Sequence, residues 1–181
     1  MNINSINETK ITTNLVILNF PHLLKVNTQS RFENSQPKYD TIIIISKNDD
    51  ETLSKIDNAI KKAIIKRGLS DTENVKSPLK DGDVDYPYNS LYENSMYMYV
   101  STMIKPKVVD NELNELPFYA TEIESGRYGK VSMYFDGYKY ESGKCGIAAK
   151  LLNIQVFPQN RLFELRTNPE DEFKVEKVDE E

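Results

Sequence analysis

Between Ser125 and Phe157 apolar and polar positions alternate. Val131, Met133 and Phe135 interleave with Lys130, Ser132 and Tyr134, the period of two of a strand with one buried face. The segment from Asp136 to Gly143 holds two glycines, two tyrosines and a lysine. It reads as a turn, because glycine accepts positive backbone angles. The chain then returns as GIAAKLLNIQVF, with Leu152, Ile154 and Val156 on one side. An antiparallel sheet is therefore the expected core. Its outer face is rich in tyrosine and lysine, which as a pattern fits a solvated sheet surface as well as a binding surface.

Upstream, Ile11 to Phe20 is a β-branched run that predicts a first strand. Pro21 should end or bend it, since proline cannot donate to a ladder. The single histidine, His22, sits at that strand end with no second metal-ligand type beside it, and reads as structural. Val26 to Pro37 reads as a loop. Lys38 to Ser46 is a strong strand whose Ile42–Ile45 run is apolar on both faces, so it should be central or covered by a helix. A helix follows. Asn48 or Asp49 can cap it, and Leu53, Ile56, Ile60, Ala63 and Ile64 form one apolar stripe. Lys61, Lys62, Lys66 and Arg67 load its end, and Gly68 can terminate it. Glu93 to Ile104 is a further strand, with Tyr97 and Tyr99 opposite in face to Met96, Met98 and Val100. About five strands with one helix suit an OB-fold-like Greek-key barrel, a mainly β class, with one covering helix.

Charge changes the picture at one end only. The net charge is −5. Seven of the 28 acids lie in 168–181 against two of the 23 bases, leaving 21 of each in the rest. Residues 1–167 thus read as one nearly neutral domain, and 168–181 as a disordered acidic C-terminal tail of the kind that docks partners. One cysteine excludes a disulfide framework and a cysteine-based zinc site, and Cys145 reads as a small buried thiol. No basic start with an apolar run opens the chain, and no apolar run approaches the ~20 residues of a membrane span. A soluble protein of the cytoplasm, with no membrane association, is the expectation.

Catalytic patterns are missing: no glycine-rich phosphate loop, no paired histidines, no serine–histidine pairing in context. No cofactor and no resident metal are expected. Asp81, Asp83 and Asp85 alternate within LKDGDVD and raise a metal-dependent nuclease as an alternative. The calcium-loop pattern fails there, because Tyr86 stands where glycine is required and Tyr92 where glutamate is. Turn and cap chemistry is the better use of these acids. The positive signal is eleven tyrosines, no tryptophan, and tyrosines interleaved with lysines on strands. Rings supply a stacking surface for bases and cations track a phosphate backbone, as in single-strand nucleic-acid platforms. The same face could instead serve a protein partner.

Five short motifs then occur in order: Pro37-Lys38-Tyr39, Leu79-Lys80-Asp81-Gly82-Asp83, Pro106-Lys107-Val108-Val109-Asp110, Gly126-Arg127-Tyr128-Gly129, and Gly146-Ile147-Ala148 with Leu152-Asn153-Ile154-Gln155. Their order and spacing over about residues 37–157 resemble a family of bacteriophage single-stranded DNA-binding proteins long catalogued as a domain of unknown function. The resemblance implies an OB-fold, sequence-independent binding of single-stranded DNA, service in phage replication or recombination, and an acidic tail. Two departures stand out. FPQNRLFELRTNP replaces a short glycine-rich linker, and LVILNF lacks a basic residue near its start. The expected stacking residues are Tyr39, Tyr97, Tyr99, Tyr128 and Tyr134. The expected phosphate contacts are Lys38, Lys105, Lys107, Arg127 and Lys130. In the tail, Glu170, Asp171, Glu172, Phe173, Asp179, Glu180 and Glu181 are the expected contacts to a phage DNA polymerase or helicase. The host cytoplasm is the expected location, and a homo-oligomer is compatible with the sequence.

Overall fold

The computed structural model describes residues 6–28, 36–70, 74–117 and 123–158; the expectations for the acidic tail lie outside them. In chain order the elements are β1 (Lys10–Thr12), β2 (Val16–Asn27), β3 (Lys38–Ser46), α1 (Asp50–Lys66), β4 (Lys80–Asp81), α2 (Gly82–Asp85), a 3₁₀ turn (Ser90–Tyr92), β5 (Ser95–Thr102), β6 (Lys107–Val109), β7 (Arg127–Lys139) and β8 (Cys145–Val156).

Five strands close on themselves: β2 pairs β3, β3 pairs β5, β5 pairs β8, β8 pairs β7, and β7 returns to β2. The β5–β8 contact is parallel and the other four are antiparallel. This is the Greek-key barrel of the OB-fold. Closure needs β7 and β8 to be long, 13 and 12 residues, because β7 pairs along both edges. Gly129 suits the closure point. A Cβ there would stand 3.0 Å from both the Gln155 carbonyl oxygen and Leu18 Cδ1, where β2, β7 and β8 come together.

Strand alternation sorts side chains into the barrel. Leu18, Ile43, Ile45, Met98, Val100, Val131, Met133 and Phe135 are buried in one core. Helix α1 lies against β1, β7 and β8 and adds Ile56, Ala59 and Ala63 to that core. Its ends follow local chemistry. The Asp49 side chain accepts from the Thr52 N–H at 3.1 Å. At the other end Gly68, at φ +64°, lets its own N–H reach the Ile65 carbonyl and the Leu69 N–H the Ile64 carbonyl, the pattern that caps open carbonyls with a left-handed glycine.

Several boundaries differ from the sequence expectation, each for a long-range reason. The single first strand is two, because Thr13 breaks the run: its N–H donates to the Val131 carbonyl and its hydroxyl accepts from the Val131 N–H, both at 3.0 Å. Asn14 then turns toward the start of α1, donating to Thr52 Oγ1 and Asp49 Oδ1. Pro21 bends β2 without ending it: the register slips between Asn19 and His22, and pairing continues to Asn27. The β7–β8 turn is shorter than Asp136–Gly143, since pairing runs on to Lys139↔Cys145. A register shift opposite Ser132 and Met133 also changes which residues of β8 point inward. Leu151 is buried before it and Ile154 and Val156 after it, while Leu152 is only half buried.

The packing predicts a sharp contrast between two isoleucines. Ile43→Ala, at a fully buried barrel position, should lose about 2–5 kcal/mol. Ile65→Ala, on the exposed side of α1, should change stability by less than about 0.5 kcal/mol. Urea denaturation of the two variants measures both.

Candidate nucleic-acid interface

The β3–β5 ladder is in register over eight pairs, from Tyr39↔Thr102 to Ser46↔Ser95. Residues paired across it share a face. Ile43 and Met98 face the barrel core, so their neighbours Ile42, Ile44, Tyr97 and Tyr99 face outward. Strand β2 extends that outer face through Ile17↔Ile44 and Asn19↔Ile42, and β7 through Tyr128↔Ile17. In an OB-fold this surface, with the loops beside it, is where oligonucleotides lie.

Half of the face is roofed. Strand β4 pairs β5 through Lys80↔Tyr97 and Asp81↔Met96, and the chain that follows folds back over the sheet. Tyr92, buried, packs with Ile44 and Tyr97 in a second apolar cluster. The Tyr86 ring stacks on Tyr92 at 4.3 Å, and Tyr97 meets both edge-on at 5.3 Å. Hydrogen bonds from three side chains hold the roof. The Asn19 amide donates to Tyr92 Oη at 2.8 Å, the Tyr97 hydroxyl to Asp85 Oδ2 at 2.6 Å, and Lys47 Nζ to Asp81 Oδ1 at 2.7 Å and Asp83 Oδ2 at 2.6 Å. Hydrogen bonding to Lys47 holds the Asp81 and Asp83 carboxyls below the usual carboxylate value and raises the lysine.

The acids at 81, 83 and 85 are therefore spent on the roof. Asp81 also caps α2 through the Asp83 N–H, and Asp83 accepts from the Asn94 N–H. Among the described residues no three His, Cys, Asp or Glu side chains converge where a metal could sit.

The other half of the face is open and centres on Tyr99. The residue is 48% exposed, while its hydroxyl donates to Asp40 Oδ2 at 2.6 Å. Asp40 is buried; its other oxygen lies 2.8 Å from His22 Nδ1, and Asn27 donates to both oxygens. Burial and the Asp40 carboxylate both push the Tyr99 hydroxyl up, so it stays a neutral donor. A ring pinned at its hydroxyl presents its face in a fixed orientation.

The structure brings together some of the expected site residues and separates others. Tyr99, Tyr128 and Lys38 share the outer face of β2, β3, β5 and β7, with Tyr128 on β7 beside Ile17 and Lys38 at the rim opposite Asn27. Tyr97 is on that face but only 7% exposed; its ring is covered by Tyr86 and Tyr92. Tyr39 has the parity of Thr41 and Ile43 and stands half buried on the barrel-interior side. Arg127 is half buried and donates from Nε to the Phe157 carbonyl at 2.9 Å, tying down the end of β8. Lys130, opposite Gln155, and Tyr134, opposite Lys150 and Lys10, lie on the β1–β7–β8 surface instead. Lys107 is exposed on β6 opposite Asn153, and Lys105 is exposed in the β5–β6 connection. Sequence reading missed Lys80, whose Nζ lies 5.9 Å from the Tyr97 ring centroid. It also missed Tyr86 and the carboxylate of Asp40. Only the KDGD motif could have pointed to the roof.

Two outcomes follow. Tyr92→Phe leaves the Asn19 amide, buried under the roof, without its acceptor, and should lower stability by about 1–3 kcal/mol, measured by thermal and urea unfolding. Depressed carboxylates stabilise the fold above their unfolded pKa of 3.8 and lose that contribution as pH falls through their folded values. The stability difference between wild type and Lys47→Met should accordingly be present at neutral pH and vanish in strong acid, as read from urea midpoints along a pH series.

Comparison with known proteins points the same way. The family model described as the single-stranded DNA-binding protein of Enterobacter phage Enc34 matches residues 9–181. The structure of the bacteriophage Enc34 single-stranded DNA-binding protein in complex with single-stranded DNA superposes with a TM-score of 0.69 at 24% identity, covering 82% of this chain and 85% of that one. A C-terminal truncation of the same phage protein gives 0.72 at 24% identity, over 83% and 86%. The gp2.5 single-stranded DNA-binding protein encoded by bacteriophage T7 gives 0.59 at 15% identity, over 92% and 98%. Among curated proteins no sequence match is found. With the OB barrel, the open tyrosine face and a family match over nearly its whole length, the chain belongs to the Enc34-type family of phage single-stranded DNA-binding proteins.

Proposed function

We infer that this protein coats single-stranded DNA without base-sequence preference, in phage replication or recombination, and that the strand lies along the open outer face of β2, β3 and β5. The observation that carries this reading is Tyr99: an exposed ring in the middle of the OB binding face, fixed by a 2.6 Å hydrogen bond to a buried carboxylate. A base stacked on such a ring contributes about 1–3 kcal/mol whatever its identity, because every base has a π-face. Preorganisation by Asp40 removes part of the ordering penalty that a free tyrosine would incur on binding.

The phosphate contacts we assign to this face are Lys38 at the rim of β3 and Lys80 on the roof, with Tyr128 as a second ring at the β7 end. Asp40 is an anion close to the path of the strand, but its oxygens are occupied by Tyr99, His22 and Asn27. Lys107, Lys130 and Tyr134 would meet DNA only if the strand wrapped round the barrel, and we leave them outside the groove.

Binding to mixed-sequence single strands should exceed binding to duplex of equal length, with a log–log salt slope of about −0.7 per phosphate neutralised. Fluorescence anisotropy of labelled oligonucleotides measures both. Tyr99→Ala should weaken binding about 5- to 150-fold while leaving the slope unchanged, and Lys38→Ala should reduce the slope. Equal affinity for duplex, or no salt dependence, would remove the groove.

The acidic segment 168–181 provides a separate test. A tethered anion has a high effective concentration at a cationic groove and competes with phosphate there. Truncation after Thr167 should tighten DNA binding, most at low salt where screening is weakest, and should abolish pull-down of a phage polymerase or helicase. Identical DNA affinity at low salt would exclude self-competition.

A further inference from the structure

Strand β2 carries a second exposed ring in a backbone conformation that its side chain disfavours. Phe20 has φ +48° and is 64% exposed. A bulky residue at positive φ is a steric outlier, and burial of the ring does not offset it here. The conformation is instead imposed by the neighbours. Between Asn19↔Ile42 and His22↔Asp40, β2 has two residues, Phe20 and Pro21, where β3 has only Thr41. This is a β-bulge, a device that re-aims a side chain. Its backbone polar groups are held from three sides. The Phe20 N–H donates to Ser125 Oγ at 2.8 Å, the Gly126 N–H to the Leu18 carbonyl at 2.8 Å, and the Thr41 hydroxyl to the Asn19 carbonyl at 3.0 Å. Strain persists only where surrounding structure over-determines it, and such sites cluster where ligands bind.

The bulge sits on the open half of the face described above. Its flanking partners are Ile42, which pairs with Tyr99, and Asp40, which bonds Tyr99. With β3 between them, Phe20 and Tyr99 lie about two strand spacings apart, roughly 10 Å, on either side of Ile42. Bases splayed from one single strand could occupy the two rings.

We propose that Phe20 is a second base-stacking residue, aimed into the single-strand groove by the β2 bulge that the Ser125–Gly126 segment and Thr41 hold. The proposal rests on the reading of the β2–β3–β5 face as the DNA groove, and it adds a residue that neither tyrosine content nor strand alternation singles out.

The chain has no tryptophan, so Phe20→Trp creates a single tryptophan at the site, which can be excited selectively over the tyrosines. Titration with unlabelled oligo-dT should quench that tryptophan saturably, in parallel with binding followed by anisotropy. Phe20→Ala and Phe20→Gly should each weaken binding about 5- to 150-fold, as loss of a base stack does. Phe20→Gly separates this role from a structural one. Glycine accepts positive φ without a steric penalty, so its Tm should match or exceed that of wild type while its affinity falls. A ring needed only for folding would lower Tm and leave the affinity of the folded fraction unchanged. Two results would overturn the proposal even with Tyr99→Ala still weakening binding. One is wild-type affinity in Phe20→Gly. The other is an unquenched reporter in the Phe20→Trp variant when anisotropy shows the complex to be saturated. Failure of the wild-type protein to bind the oligonucleotide would overturn the groove itself and Phe20's role with it.

Discussion

Strand β7 hydrogen-bonds to β2 along one edge and to β8 along the other, and this double pairing closes the barrel. Closure removes free sheet edges among the five strands and gives each strand an inner and an outer side. Gly129 eases it, since a Cβ there would crowd the Gln155 carbonyl oxygen and Leu18 where β2, β7 and β8 meet. Closure depends on the alternation of Val131, Met133 and Phe135, all buried, with the outward Lys130, Ser132 and Tyr134. Once the barrel is shut, the outward positions of β3 and β5 form one continuous surface.

That surface is divided into two unlike parts by one short segment. The roof from β4 to the 3₁₀ turn covers Ile44 and Tyr97 with Tyr92 and Leu91, and Lys47 fastens it to the end of β3 through Asp81 and Asp83. The uncovered part keeps Tyr99, Ile42 and the Asp40 cluster. Covering one half bounds the open half on the roof side. The acids that could suggest metal chemistry on paper are the fastenings of that roof. Their attachment is electrostatic and exposed, so it is weak pair by pair; the buried Asn19–Tyr92 bond and the three-ring cluster supply the rest.

The fold was legible because its main signals are local. The period of two in 131–135, the isoleucine run of β3 and the capped amphipathic helix each identify their element without reference to distant residues. What the sequence concealed was set by partners far along the chain. The break at Thr13 arises from Val131, the positive φ of Phe20 is held in place by Thr41 and Ser125, and the exposure of each tyrosine follows from what lies above it. Tyr97 and Tyr99 are two residues apart on one strand and share a face, yet one is roofed and the other open, and only tertiary structure separates them. Lys130 and Tyr134 look like Tyr99's neighbours by composition, but β7 carries them round to another side of the barrel.

Isoleucine methyl groups mark both sides of the β2–β3 wall, so NMR of selectively labelled protein titrated with a short oligo-dT tests the assignment of the groove most directly. Stacked bases shift nearby methyl resonances through their ring currents. The δ1 methyls of Ile42 and Ile17, on the outer face, should shift on binding, while those of Ile43 and Ile45 inside the barrel and Ile60 and Ile65 on α1 should stay nearly fixed. Saturable binding that leaves Ile42 and Ile17 unmoved and shifts residues of α1 or of the β7–β8 surface would contradict it.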